Sequence, residues 1–188
     1  MSRTNKLILC SIGGTLLAIG SAWAKPAQSQ KAGDASLIAS AMSAAPAAVA
    51  RHATIVVANP NGSMRTIRQG SNGFTCMPDD PTTPGPDPMC LDGNAMKWVM
   101  AWMGHKTPPA NNTGLMYMLS GGTDASNTDP YAKKPTAGNH WVKTGPHLMV
   151  VGSGALLRGY PAKPTPDTTQ PYVMWSGTPY EHLMIPVR

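Results

Sequence analysis

Proline and glycine decide most of what this chain can become. There are nineteen of each among 188 residues, spread through the whole length. Proline fixes φ and removes a backbone donor, so it ends helices and stays out of central strands. Glycine supplies the turns. With both this frequent, long helices have little room, and short strands joined by fixed turns are the natural outcome. The large apolar residues stay interleaved, so a core can form. The pattern predicts an α+β domain: a mostly antiparallel sheet, one or two packed helices, long Gly/Pro-rich loops and one disulfide.

The N-terminus carries a separate instruction. Met1 to Lys6 holds Arg3 and Lys6 and no acid, and an apolar run follows from Leu7 to Ile19. Ala22-Trp23-Ala24 then offers small residues where a signal peptidase reads. This is a secretory signal, with an apolar run shorter than the ~20 residues of a membrane span. Leu9 stands before Cys10 where a lipoprotein needs a small residue, so Cys10 reads as an ordinary apolar residue. The expected organisation is a signal peptide over 1–24, a flexible lead-in over 25–34 and one domain over 35–188. The expected destination is the periplasm or the exterior, with no transmembrane segment in the mature chain. Once Arg3 and Lys6 leave with the signal, thirteen basic residues face nine acids, a formal charge of +4. They are scattered, so nucleic acid is not an expected partner.

The mature chain keeps Cys76 and Cys90, with thirteen residues between them. In an oxidising compartment two cysteines are expected to pair. A two-thiolate metal site is the alternative, although this spacing matches no standard zinc pattern.

Local signals divide the rest. Ala35 to Arg51 is alanine-rich and helix-prone, and Pro46 either breaks the helix or restarts it. Ala53–Val57 and Ser63–Arg68 flank the turn Asn59-Pro60-Asn61-Gly62 and should form a hairpin. Phe74–Cys76 suggests a third short strand. Pro81, Pro84, Pro86 and Pro88 make the next stretch a loop. Asn94 is the expected cap of a helix from Ala95 to Gly104, with Met96, Met100 and Met103 on one face as core packing. Later strands are expected at 115–119, 147–151, 172–175 and 182–187.

Several strings stand out by this point: Thr75-Cys76-Met77-Pro78-Asp79, Pro88-Met89-Cys90-Leu91-Asp92, the Gly121–Pro130 segment GGTDASNTDP and the Gly177–Val187 segment GTPYEHLMIPV. Over roughly residues 60–188 the chain resembles a family of small exported bacterial proteins without an established activity. The resemblance implies export and a single domain. It supplies no catalytic residues.

The pattern most suggestive of chemistry is an internal echo. His147-Leu148-Met149 matches His182-Leu183-Met184. On a strand, residues two apart share a face. If the two strands are neighbours, two imidazoles and two thioethers face the same way. Such donors suit copper, above all Cu(I). His105, after the helix, and His140, beside Trp141, are further candidate ligands. Glu181 is the chain's only glutamate and precedes His182, which suggests an acid/base or a group that orients an imidazole. Tyr172, Trp175 and Tyr180 are expected to line a pocket. Calcium is the second metal considered. It would use Asp79, Asp80 and Asp87, or Asp124, Ser126, Asn127 and Asp129, although Asx turns account for both loops without an ion.

Three functions follow as expectations. The first is an exported metal-binding protein, copper favoured. The second is a small metal-dependent enzyme with histidine ligands and Glu181 as acid/base. The third is a non-catalytic domain that binds a small-molecule ligand or a partner.

Overall fold

The computed structural model describes residues 27–187, so the segment read as a signal peptide lies outside the described residues. In chain order the elements are α1 (Ala27–Met42), α2 (Ala47–Ala50), β1 (Thr54–Ala58), β2 (Met64–Arg68), β3 (Thr75–Met77) and β4 (Met89–Leu91). They continue with α3 (Gly93–Met103), β5 (Gly114–Met118), β6 (Ala125–Ser126), β7 (Trp141–Val142), β8 (His147–Val151), β9 (Tyr172–Met174) and β10 (His182–Pro186). The fold is α+β. An eight-stranded sheet runs in the order β2-β1-β3-β4-β5-β8-β10-β9, and β6 and β7 pair separately. Within the large sheet every pairing is antiparallel except β1 with β3.

The helices follow from local chemistry. Pro46, with φ −54° and ψ 144°, sits at the N-cap of α2, so the proline stops one helix and starts the next. The cap of α3 is Asp92 rather than Asn94. Its Oδ1 accepts from the backbone N–H groups of Asn94 at 3.0 Å and Ala95 at 2.8 Å. Its Oδ2 accepts from Leu115 N–H at 3.0 Å, which ties the helix start to β5. Gly114 lets the two come this close, since a Cβ there would overlap the backbone of Ala95. The far end of α3 closes with His105 in the left-handed region at φ 53°. His105 N–H donates to Trp102 O and Lys106 N–H to Ala101 O, a Schellman closure.

Two segments differ from the expected pattern. The lead-in expected over 25–34 is helical from Ala27, and Asp34 meets Arg65 at 2.8 Å. The Arg65 guanidinium holds the Asp34 carboxyl below its usual range. The methionine face of α3 is not core. Met100 is 55 % and Met103 59 % exposed, and only Met96 packs partly against the interior. The buried positions are Ala95, Trp98 and Val99. A helix apolar on most sides does not reveal which side will dock. The close approach at Gly114 turns Ala95, Trp98 and Val99 inward and leaves the methionines at the edge.

The two faces of the sheet build separate cores. One holds Leu91, Met116, Met118, Met149, Val151, Tyr172, Met174 and Met184 under α3. The other packs Ile55, Cys76 and Cys90 against the alanines of α1 and α2, with Val173 and Leu183 forming a smaller cluster near Leu157.

Cys76 and Cys90 form the expected disulfide, joining directly opposite residues of β3 and β4. The bridge closes the proline-rich loop. On the chain-entropy account a loop of this size contributes roughly 3 kcal/mol. Replacing both cysteines with serine should lower the urea midpoint by an amount equivalent to that figure. An unchanged midpoint would show that the loop is already constrained without the bridge.

Candidate functional site

The site begins with the register of three strands. β8 and β10 are neighbours, and Met149 lies directly opposite Met184. His147 lies opposite Pro186, and His182 opposite Val151. The strands are antiparallel, so the echoed motifs run in opposite directions. The thioethers meet at the centre. The two histidines sit at opposite ends of the pair, four positions apart and about 13 Å along the strand. On the other side of β10, His182 lies opposite Met174 and Met184 opposite Tyr172. Met149, Met174, Met184 and both histidines therefore share one sheet face, beneath α3.

His182 is fully buried. Its Nδ1 is 2.9 Å from the carbonyl oxygen of Tyr180. A carbonyl only accepts, so Nδ1 carries the proton and Nε2 presents a bare lone pair. That Nε2 is buried and has no hydrogen-bond partner. Burial lowers its pKa to about 4, the Tyr180 hydrogen bond partly opposes this, and the charge of His147 adds the smallest contribution, also downward. The imidazole is neutral at physiological pH. Two indoles wall it edge-on: Trp98 at 5.3 Å and Trp175 at 4.9 Å between ring centres. The Trp98 indole Nε1–H is also buried without a partner.

Trp175 reaches this position at a cost. Its φ is 56°, a region that bulky side chains seldom occupy. Two hydrogen bonds hold it there, from its backbone N–H to Asn127 O at 2.9 Å and from its indole N–H to Ser126 O at 2.8 Å. Local strain of this kind is of the order of 1–3 kcal/mol and concentrates at ligand sites.

His147 occupies the other end. Its Nδ1 is 2.7 Å from Gly145 O, which fixes the same tautomer. Desolvation lowers its pKa and the Gly145 contact opposes that shift. His147, Tyr172 and Met184 line a cavity of about 140 Å³, together with exposed Lys143 and Thr169. Met184 thus touches both the cavity and the neighbourhood of His182. Trp175 and Tyr180, expected to line a pocket with Tyr172, pack in the core instead.

The other candidates lie elsewhere. Glu181 lines a different, larger groove with Pro108, Asn111, Ser153 and Pro179, and its Oε2 accepts from Gly177 N–H at 3.2 Å. Its carboxylate turns to Gly177, while the His182 imidazole is oriented by the Tyr180 carbonyl instead. His105 stacks on Tyr131 at 4.0 Å. His140 contacts Thr165 Oγ1 at 3.0 Å through Nδ1. Carboxylates of both acidic loops already accept backbone N–H groups across the loops. Asp79 accepts from Asp87 N–H, Asp87 from Asp80 N–H, and Asp124 from Thr144 N–H. Among the described residues, no three His, Cys, Asp or Glu side chains gather to hold a metal.

Sequence reasoning missed Met174 and the indole walls. Met174 carries no motif of its own, and only the β9–β10 register places it beside His182. Comparison with protein-family models, curated proteins and solved structures finds no match to this chain.

Proposed function

We propose that the protein is an exported binder of a soft metal ion, Cu(I) foremost, centred on His182 Nε2. The observation that carries this reading is the buried, unpartnered lone pair of that nitrogen. A buried polar atom left unpaired costs about 1–3 kcal/mol, and such atoms point to an occupant. The donors around it choose the occupant. Met174, Met184 and Met149 are thioethers, which favour Cu(I) over hard cations. The Tyr180 carbonyl fixes the imidazole tautomer, as backbone oxygens do behind metal-bound histidines. Met184 also lines the cavity beside His147.

Export rests on the N-terminal segment and on the disulfide, which persists in oxidising compartments. Among the described residues, no helix is long and apolar enough to cross a membrane.

A second reading has its own observation. Trp98 offers an unpaired donor beside the unpaired acceptor of His182. A single water taking one bond and giving the other would satisfy both. Copper competition separates the two. With a chromophoric Cu(I) chelator, the protein should withdraw about one equivalent of copper. His182→Ala should weaken this about tenfold or more, and His140→Ala should leave it unchanged. If His182→Ala fails to fold, Met174→Leu keeps the volume and should still weaken binding. A wild-type protein that leaves all copper with the chelator overturns the metal reading and leaves the water.

A further inference from the structure

The cavity beside His147 holds two polar groups that the centre at His182 does not use. Tyr172 is 2 % and His147 4 % exposed, and both line this space of about 140 Å³. The Tyr172 hydroxyl makes no hydrogen bond to any described residue. Burial raises its pKa to about 12, so it keeps its proton and is a donor at neutral pH. His147 spends its Nδ1 proton on Gly145 O, which leaves Nε2 a bare acceptor without a partner among the described residues. Unlike His182 Nε2, neither atom is sealed off. In residues so deeply buried, the opening that both atoms face is the cavity. Buried polar groups seldom stay unpaired, so the pair points to an occupant.

The lining describes that occupant. Lys143, at the exposed rim, carries the only charge among the described lining residues, and it is positive. The acids next to the rim are already engaged: Asp124 accepts from Thr144 N–H, and Asp167 from Thr169 and Gln170. An anionic group therefore belongs between Lys143 and the Tyr172 hydroxyl. The His147 lone pair asks the same ligand for an O–H donor. Met184 and Pro186 supply apolar wall. A cavity of this size holds about six non-hydrogen atoms, which excludes nucleotides, sugars and peptides.

We propose that the cavity binds a small 2-hydroxycarboxylate, with its carboxylate on Tyr172 and Lys143 and its hydroxyl donating to His147 Nε2. The site is separate from His182 Nε2 and stands whether or not that nitrogen binds metal.

The test is a titration of ¹⁵N-labelled protein with lactate at neutral pH, in the presence of a metal chelator. The His147 Nε2 signal should shift and saturate, with a Kd of about 1 mM or tighter, which is within reach of so small a ligand. Propionate lacks the hydroxyl and propane-1,2-diol lacks the carboxylate, so each should bind about tenfold more weakly or worse. Tyr172→Phe removes a hydroxyl that has no partner in the protein, so it should fold and still lose about tenfold in lactate affinity. Lys143→Gln should weaken lactate and leave propane-1,2-diol unchanged, and Tyr160→Phe should change neither. A His147 Nε2 signal that ignores lactate, propionate that binds as well as lactate, or a Tyr172→Phe variant with wild-type affinity overturns the proposal. Copper is absent throughout, so failure here is seen separately from failure at His182.

Discussion

Replacing Trp98 with alanine should destabilise the protein by about 3–5 kcal/mol, the range for truncating a buried aromatic. Trp98 is 2 % exposed and is the hub of the ring cluster. It lies 6.4 Å from Trp102, 6.1 Å from Trp175, 6.3 Å from Tyr180 and 5.3 Å from His182. No other described element supplies a ring at its place between α3 and the sheet. For a domain of this size the loss corresponds to a fall in Tm of roughly 10 °C. Trp102→Ala should cost less, because Trp102 is only partly buried. Thermal melts of the two variants check the ranking. A Trp98→Ala variant within about 1 kcal/mol of wild type would show that the ring cluster is not the anchor of α3.

Acid should unfold the metal-free protein, and His182 is the main reason. Its folded pKa is about 4, against 6.5 for the unfolded chain. Between those values the unfolded state binds a proton that the native state refuses. Stability is therefore complete above pH 6.5, falls as pH drops from 6.5 towards 4, and levels off below. The loss integrates to about 3 kcal/mol. His147, also lowered by burial, adds to the fall in the same direction. Urea midpoints measured across this range in the presence of a chelator check the slope. His182→Gln should flatten it. A wild-type profile that stays level from 6.5 to 4 would mean that the imidazole is solvated rather than enclosed.

Much of the sheet was legible from local pattern. The hairpin around Asn59-Pro60-Asn61-Gly62 and the strand His147–Val151 carry alternation or β-branched runs that read directly as β structure. The disulfide followed from cysteine number and the expected compartment. What stayed hidden depends on residues far apart in the chain. The β1–β3 pairing is parallel and brings Thr54 beside Thr75, which no local signal announces. Asp92 and Asn94 are both good caps, and Asp92 prevails because its second oxygen also reaches Leu115. The methionine stripe of α3 is periodic, and periodicity identifies a face without saying where the face points. The histidine–methionine echo was legible as two same-face pairs. Whether the pairs coincide or oppose depends on strand direction. The antiparallel register brought the thioethers together and sent the imidazoles to opposite ends.

The central claim is that His182 Nε2 is a lone pair kept for a soft ion. Long-range proton–nitrogen NMR of the ¹⁵N-labelled protein reads that atom directly. In metal-free protein at neutral pH, His182 should show the Nδ1–H tautomer with an unprotonated Nε2. One equivalent of Cu(I) should shift His182 Nε2 strongly and leave both ring nitrogens of His140 unchanged. A His182 Nε2 signal that stays in place when Cu(I) is added would contradict the account.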